Sequence, residues 1–201
     1  MKKINLKILA IMIVSVLALL GVGGYFILNN NSDKGDAPKT TSNPTTIQTT
    51  PTETKTTPSL AGKSTEEQLL YLIEEEKLAH DVYTVMYQKY GANVFGNILE
   101  SESTHQGRVL TLLQARSIAD PRSPEVGVFR NQELQTLYNI LIEQGNKNAI
   151  EAYKVGVAIE EKDIADISTQ LATASDQDVV AALESLRTGS ENHLRAFNKQ
   201  L

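Results

Sequence analysis

The period of the apolar positions divides the chain into three. Residues 8–28 form one apolar run without a charge. At about 1.5 Å of rise per residue, about twenty helical residues cross the roughly 30 Å hydrocarbon core, so the run predicts a membrane-spanning helix. Residues 29–63 hold almost nothing apolar, and Pro38, Pro44, Pro51 and Pro58 punctuate a Thr-, Ser- and Asn-rich stretch. Such a segment cannot bury enough surface to offset ordering entropy, which predicts a disordered Thr/Pro-rich stalk. From residue 64 onward the apolar positions recur at steps of three and four, and nowhere does a sustained period of two appear, so residues 64–201 are expected to be helical throughout.

Within that third segment, Ser64 and Glu67 have the spacing of a capping box. Leu69, Ile73, Glu76, Ala79, Tyr83, Met86 and Tyr90 then share one helix face, and Gly91 stops the helix. A second helix is predicted over residues 93–117, with Phe95, Leu99, Glu102, Val109, Leu112 and Leu113 inward. Pro121, Pro124 and Gly127 mark residues 119–130 as a loop. Asn131 caps a short helix to about residue 144, which Gly145 ends. The third long helix is predicted over residues 147–172 with Tyr153, Val157, Glu160, Ile164, Ile167 and Leu171 inward. Ser175 or Asp176 caps the last, whose inward set is Val179, Leu183, Leu186, His193, Leu194 and Phe197. Two tight hairpins separated by about thirty residues predict an all-α four-helix bundle with one long crossover that contains the short extra helix, the arrangement of ferritin-like folds.

Lys2, Lys3 and Lys7 make residues 1–7 a basic N-terminus ahead of the apolar run, which orients the anchor with its C-terminal side outside the cytoplasm. The competing expectation is a cleaved signal peptide, which calls for an apolar stretch of about 7–15 residues and a small-x-small site. Either way the helical segment is exported, tethered in a single pass or secreted. With no Cys in the chain, thiolate metal sites, iron–sulfur clusters, disulfides and cysteine nucleophiles are excluded. Residues 1–63 carry seven lysines against Asp33, Asp36 and Glu53, a balance of +4, so the overall −5 leaves −9 to the helical segment. A segment that acidic repels phosphate backbones, and no nucleic-acid partner is expected.

The inward stripes are repeatedly broken by ionisable residues. Glu76 lies seven residues from both Leu69 and Tyr83, Glu102 and His105 form Glu-x-x-His, Glu160 lies seven from Tyr153 and Ile167, and His193 lies seven from Leu186. Carboxylates buried together are costly unless cations neutralise them. Carboxylates can bridge two ions while neutral imidazoles complete each coordination shell, so the pattern predicts a di-metal site. Asp163, three residues after Glu160, adds a second carboxylate on that helix face. Glu74 and Glu75 are expected to be solvated, His80 to sit at the rim, and Tyr83 on the site stripe one turn from the ligands.

The stretch from Glu76 to Tyr83 is similar to the first-helix segment Glu-x-x-Ala-x-x-x-Tyr of rubrerythrin-type proteins, and Glu102-Ser-Thr-His105 to their second-helix Glu-x-x-His. Residues 66–200 resemble an uncharacterised ferritin-like family, a domain of unknown function, through EEEKLAHDVY, ESESTH, GVF-NQELQ, AIEEKDI and SENHLRAF. The resemblance implies an iron or manganese pair, iron before manganese, that reacts with dioxygen or peroxide in Fe(II) oxidation or peroxide reduction. Electrons would come from Fe(II) or an external donor. One departure stands out: where rubrerythrin and ferritin carry a second Glu-x-x-His on the last helix, the residue three before His193 is Ser190. Asp163 is the candidate replacement, and the alternatives are a single metal or none. Metal sequestration without turnover, a metal-free interaction module, and a homo-oligomer all remain open at this point.

Overall fold

A computed structural model describes Leu60 and residues 62–201. The anchor expected over residues 8–28 lies outside the described residues, as does the expected stalk apart from Leu60, Gly62 and Lys63. The described residues form five helices: α1 Thr65–Tyr90, α2 Asn93–Ala115, α3 Gln132–Gly145, α4 Ala149–Leu171 and α5 Gln177–Asn198. Among them there is no strand, and no helix is long and apolar enough to cross a membrane.

Local chemistry accounts for the helix ends. Ser64 accepts from the Glu67 amide while Glu67 accepts from the Ser64 amide, so the capping box starts α1. Gly91, at φ 64°, closes it in the left-handed region that glycine enters freely. Asn131 and Asn148 cap α3 and α4 with their side-chain oxygens. Asp176 occupies the cap position of α5 without a side-chain hydrogen bond. Gly145 is the last residue of α3 rather than the first beyond it.

The four long helices close a ring in which α1 packs on α2 and α4, and α5 packs on the same two. Cross-helix pairs fix the directions. Along α1 and α4, Tyr83 meets Glu160, Glu75 meets Lys162 and Gln68 meets Thr173, so these helices are antiparallel. Along α2 and α5, Glu102 meets His193 and Arg116 meets Asp178, again antiparallel. The helices on each diagonal, α1 with α5 and α2 with α4, are therefore parallel. The chain leaving α2 must return to the far end of the bundle before α4 begins, and residues 116–148 make that crossing with α3 laid against α1 and α4.

The crossover is fastened by side chains on the outer face of α1. Glu74 accepts the amides of Arg130 (2.7 Å) and Asn131 (2.9 Å). Lys77 donates to the Glu125 carbonyl (2.9 Å), pairs with Asp81 and lies 4.6 Å from the Phe129 ring centre. Asp81 accepts the Gly127 amide at 2.8 Å. With α2, α4 and the crossover around it, α1 is buried at every position from Tyr71 to Ala79. Glu74 and Glu75 are accordingly not solvated as the pattern suggested. Glu74 serves the crossover, and Glu75 pairs at 2.5 Å with Lys162, which also reaches Asp166. On α4 the buried stripe is Ala152, Val155, Gly156, Ile159, Glu160, Asp163, Ile167 and Gln170, rotated from the expected one, while Tyr153, Val157, Ile164 and Leu171 are half-buried at its edges.

Candidate metal centre

The apolar core is divided in two. One cluster contains Tyr83, Phe95, Ile98, Val155, Ile159 and Phe197, and the other contains Ile73, Val109, Leu113, Ile167, Leu183 and Leu186. On every long helix the candidate site residues fall between them in sequence: Glu76 on α1, Glu102 and His105 on α2, Glu160 and Asp163 on α4, Ser190 and His193 on α5. Each fully buried Leu, Ile or Phe in the flanking clusters contributes roughly 1.5–3 kcal/mol, and that framework holds a polar layer across the middle of the bundle.

Two triads form within the layer. Glu76, Glu102 and His105 bring ligand atoms within 4.8 Å of one another, and so do Glu102, Glu160 and His193. Glu102 belongs to both. Its Oε2 lies 3.4 Å from His105 Nδ1 and its Oε1 lies 2.8 Å from His193 Nδ1, so one carboxylate spans the two imidazoles. Glu76 Oε2 stands 3.2 Å from His105 Nδ1, and Glu160 Oε1 stands 3.5 Å from His193 Nδ1. The two imidazole rings lie 5.4 Å apart and nearly parallel. Tyr83 donates its phenol proton to Glu160 Oε1 at 2.6 Å.

Five of the six candidate ligands thus converge. Asp163 stands outside both triads, with its Oδ2 2.5 Å from Ser190 Oγ. His80 is half-exposed and lies beside Asp81, 3.6 Å from it. Sequence reasoning passed over Gly189, although a glycine inside a helix, away from any cap, calls for a packing reason. A Cβ there would sit 2.3 Å from His105 Nε2, so the bare backbone of α5 is what lets that ring fit.

The layer is short of partners. Glu76 Oε1, Glu102 Oε1, Asp163 Oδ1 and His193 Nδ1 are buried without a hydrogen bond, one atom from each long helix. Glu102 Oε1 and His193 Nδ1 are close but not aligned as donor and acceptor. Unpartnered buried polar atoms are expensive, and three of these four belong to the two triads, which fits a cation-binding layer. The donor set of carboxylate oxygens and imidazole nitrogens could hold a metal ion. Four carboxylates with neutral imidazoles carry −4, which two divalent ions cancel.

Without cations, protons have to do this work. Burial pushes Glu76 up to about 8 and Glu160 up to about 7, and the Glu102 anion adds to both shifts. Burial also holds Asp163 well above the usual carboxylate range, with Glu76 and then Glu160 adding to the effect. Burial works against an ionised Glu102 too, but its contacts with His105 and His193 prevail and hold it down at about 2. Burial pulls both imidazoles down, yet the neighbouring carboxylates outweigh it and lift His105 to about 11 and His193 to about 9.

The sign of the pH dependence follows. Ordinary values near 4.5 for Glu and 6.5 for His are raised in the folded chain, so between the two sets of values the folded state holds more protons. That stabilisation is complete below the ordinary values and is lost as pH rises through the folded ones. Glu102 acts oppositely: its contribution is lost as pH falls from 4.5 towards 2. The metal-free protein is therefore expected to melt highest near about pH 5 and progressively lower towards about pH 9. Thermal melts in excess chelator check this, and a melting temperature that is flat or rises over that range contradicts it.

Fold and layer together define an all-helical domain whose buried carboxylate and histidine groups can hold a metal. The chain belongs to an uncharacterized protein domain family, DUF2202, whose pattern matches residues 65–201. It is 43% identical over 136 residues to the uncharacterized protein MJ0754 of Methanocaldococcus jannaschii, covering 67% of this chain and 74% of that one. The crystal structure of the hypothetical protein MJ0754 from Methanococcus jannaschii superposes with a TM-score of 0.67 at 42% identity, over 68% of this chain and 78% of that one.

Proposed function

We propose that this protein is a ferritin-like, rubrerythrin-type metalloprotein that holds two divalent ions, iron before manganese, and uses them in oxidation of Fe(II) or reduction of peroxide. The observation that carries the reading is the pair of Glu/Glu/His triads sharing Glu102. Glu76 and His105 would hold one ion, Glu160 and His193 the other, and Glu102 would touch both. A pair of such ions supplies electrons to dioxygen or peroxide two at a time. The chain's own groups prepare the site for this. Glu102 remains ionised between the imidazoles, the Tyr83 phenol fixes the Glu160 carboxylate, and the apolar clusters on either side keep bulk water from the layer. The antiparallel ring with its single crossover supports the ferritin-like assignment. The apolar run over residues 8–28 and its preceding lysines support an anchor in the cell membrane with the bundle on the extracytoplasmic side, reached equally by secretion.

Metal analysis of the full chain, purified in detergent and reconstituted anaerobically with Fe(II) or Mn(II), tests the reading. Two ions per chain are expected, followed by oxygen- or peroxide-dependent oxidation of the bound Fe(II). Two ions without turnover would leave sequestration. A second reading, a metal-free module, is favoured by one observation: protonated His105 and His193 can close on Glu102 as ion pairs unaided. In that case chelators leave the melting temperature unchanged and no metal is retained.

A further inference from the structure

We infer that the centre draws its second shared carboxylate from α4 rather than α5: Asp163 is that ligand, and Ser190 is the residue that positions it. The inference rests on the two-ion reading above. Glu102 is the one residue the two triads share, so within them a single carboxylate joins the two halves. Asp163 lies one turn beyond Glu160 on the same face of α4, fully inside the layer. Of its two oxygens, Oδ2 accepts from Ser190 Oγ and Oδ1 is buried with no partner. Beside Glu76 Oε1, Glu102 Oε1 and His193 Nδ1, that free oxygen is the α4 member of the buried atoms left without a partner among the candidate ligands.

Ser190 explains why the carboxylate can come from α4. It lies one turn before His193, is 1% exposed and faces the layer. A glutamate there would fill the layer from α5 and compete with Asp163 for the same space. The short serine side chain instead leaves room, reaches the Leu186 carbonyl at 3.0 Å and supplies the hydroxyl that holds Asp163 Oδ2. The carboxylate has in effect changed helices. Counting charge agrees, because without Asp163 the remaining three carboxylates would leave two divalent ions with an excess of +1 in a buried site.

Mn(II) binding to the full chain, read by equilibrium dialysis and by electron paramagnetic resonance, tests this without reference to turnover. The unaltered protein is expected to take up two Mn(II) as a spin-coupled pair. Asp163→Asn should weaken the second ion at least tenfold and leave the uncoupled signal of a lone ion. Ser190→Ala should weaken it by roughly ten- to a hundredfold, the usual effect of removing a hydrogen bond to a ligand, with the metal-free melt little changed. The decisive variant moves the carboxylate back: Asp163→Ser combined with Ser190→Glu should restore two coupled ions. If the unaltered chain binds two ions and Asp163→Asn binds them as tightly and as coupled, the inference is overturned while the two-ion reading stands. Failure of the exchanged pair to regain the second ion in a folded protein overturns it too. If the unaltered chain binds no Mn(II) or Fe(II), both the reading and the inference fall.

Discussion

With two ions held as proposed, Glu102→Ala is expected to release both, whereas substitution of any other residue of the two triads releases only one. The asymmetry comes from position. Glu76 and His105 appear in one triad and Glu160 and His193 in the other, but the two oxygens of Glu102 face the two imidazoles separately. Metal content should fall from two per chain to none in Glu102→Ala, and to one in Glu76→Ala or His193→Ala. The metal-free fold should suffer as well. Removing one partner of a buried ion pair costs about 3–5 kcal/mol, and here one carboxylate partners two imidazoles that its loss leaves stranded 5–7% exposed. Both effects can be read in a single set of melts with and without chelator. Bound metal would stabilise the unaltered protein by linkage, about 4 kcal/mol at a thousandfold excess over the dissociation constant. In Glu102→Ala the two curves should coincide, and a variant that keeps two ions, or that still responds to chelation, would exclude Glu102 as the shared ligand.

The parts of this molecule that could be read from its sequence are those where local chemistry and hydrophobic period agree. The span of α1 follows from a capping box at Ser64 and a left-handed glycine at Gly91, and its stripe from Leu69 to Met86 is buried as expected. The stripe of α4 was misplaced for a physical reason. Half of its buried face, Ala152, Gly156, Asp163 and Gln170, is small or polar and carries little hydrophobic signal beside Val155, Ile159 and Ile167, while the apolar Tyr153, Val157 and Leu171 sit half-covered next to it. Gly156 is there because the Phe197 ring comes within 2.6 Å of where its Cβ would be, a fact of tertiary packing alone. Glu74 and Glu75 were misread because a single-stripe view assumes that a helix has one covered side. Helix α1 is covered all round, and its acids are buried against backbone amides and Lys162.

The candidate ligands were legible because charged residues on an inward stripe contradict the pattern around them. Their spacing placed six candidate side chains on facing helices, and the fold brings five of them into the two triads while Asp163 stands outside. The layer also contains pairings that no spacing rule reaches. Ser190 breaks the expected pattern, yet it is the hydrogen-bond partner of Asp163, 27 residues away on the neighbouring helix. The contact between Gly189 and His105 joins α5 to α2, far apart in the chain, and it leads to the second large effect.

Gly189→Ala should disable the His105 half of the centre and spare the other. The added methyl would lie 2.3 Å from Nε2 and 2.6 Å from Cε1 of His105, distances that no packed carbon tolerates. The ring is buried and its Nδ1 is engaged with Glu76 and Glu102, so it can relieve the clash only by withdrawing Nδ1 from them. Overpacking of this kind costs typically 1–3 kcal/mol, against which alanine regains up to about 1 kcal/mol of helix propensity. The net loss of stability should be small while metal content drops from two to one, with the remaining ion held by Glu160 and His193. Gly156→Ala separates the two effects. Its methyl would press on three atoms of the Phe197 ring at 2.6 Å, inside the aromatic cluster, with that ring and no ligand as its nearest neighbour, so it should lower the melting temperature while both ions stay bound. Gly96→Ala meets only the Tyr87 ring, which is 41% exposed and free to turn aside, and should cost little in either measurement. If Gly189→Ala retains two ions at unchanged affinity, His105 is not held as a ligand by the bare backbone of α5, and the half-site it defines with Glu76 has to be abandoned.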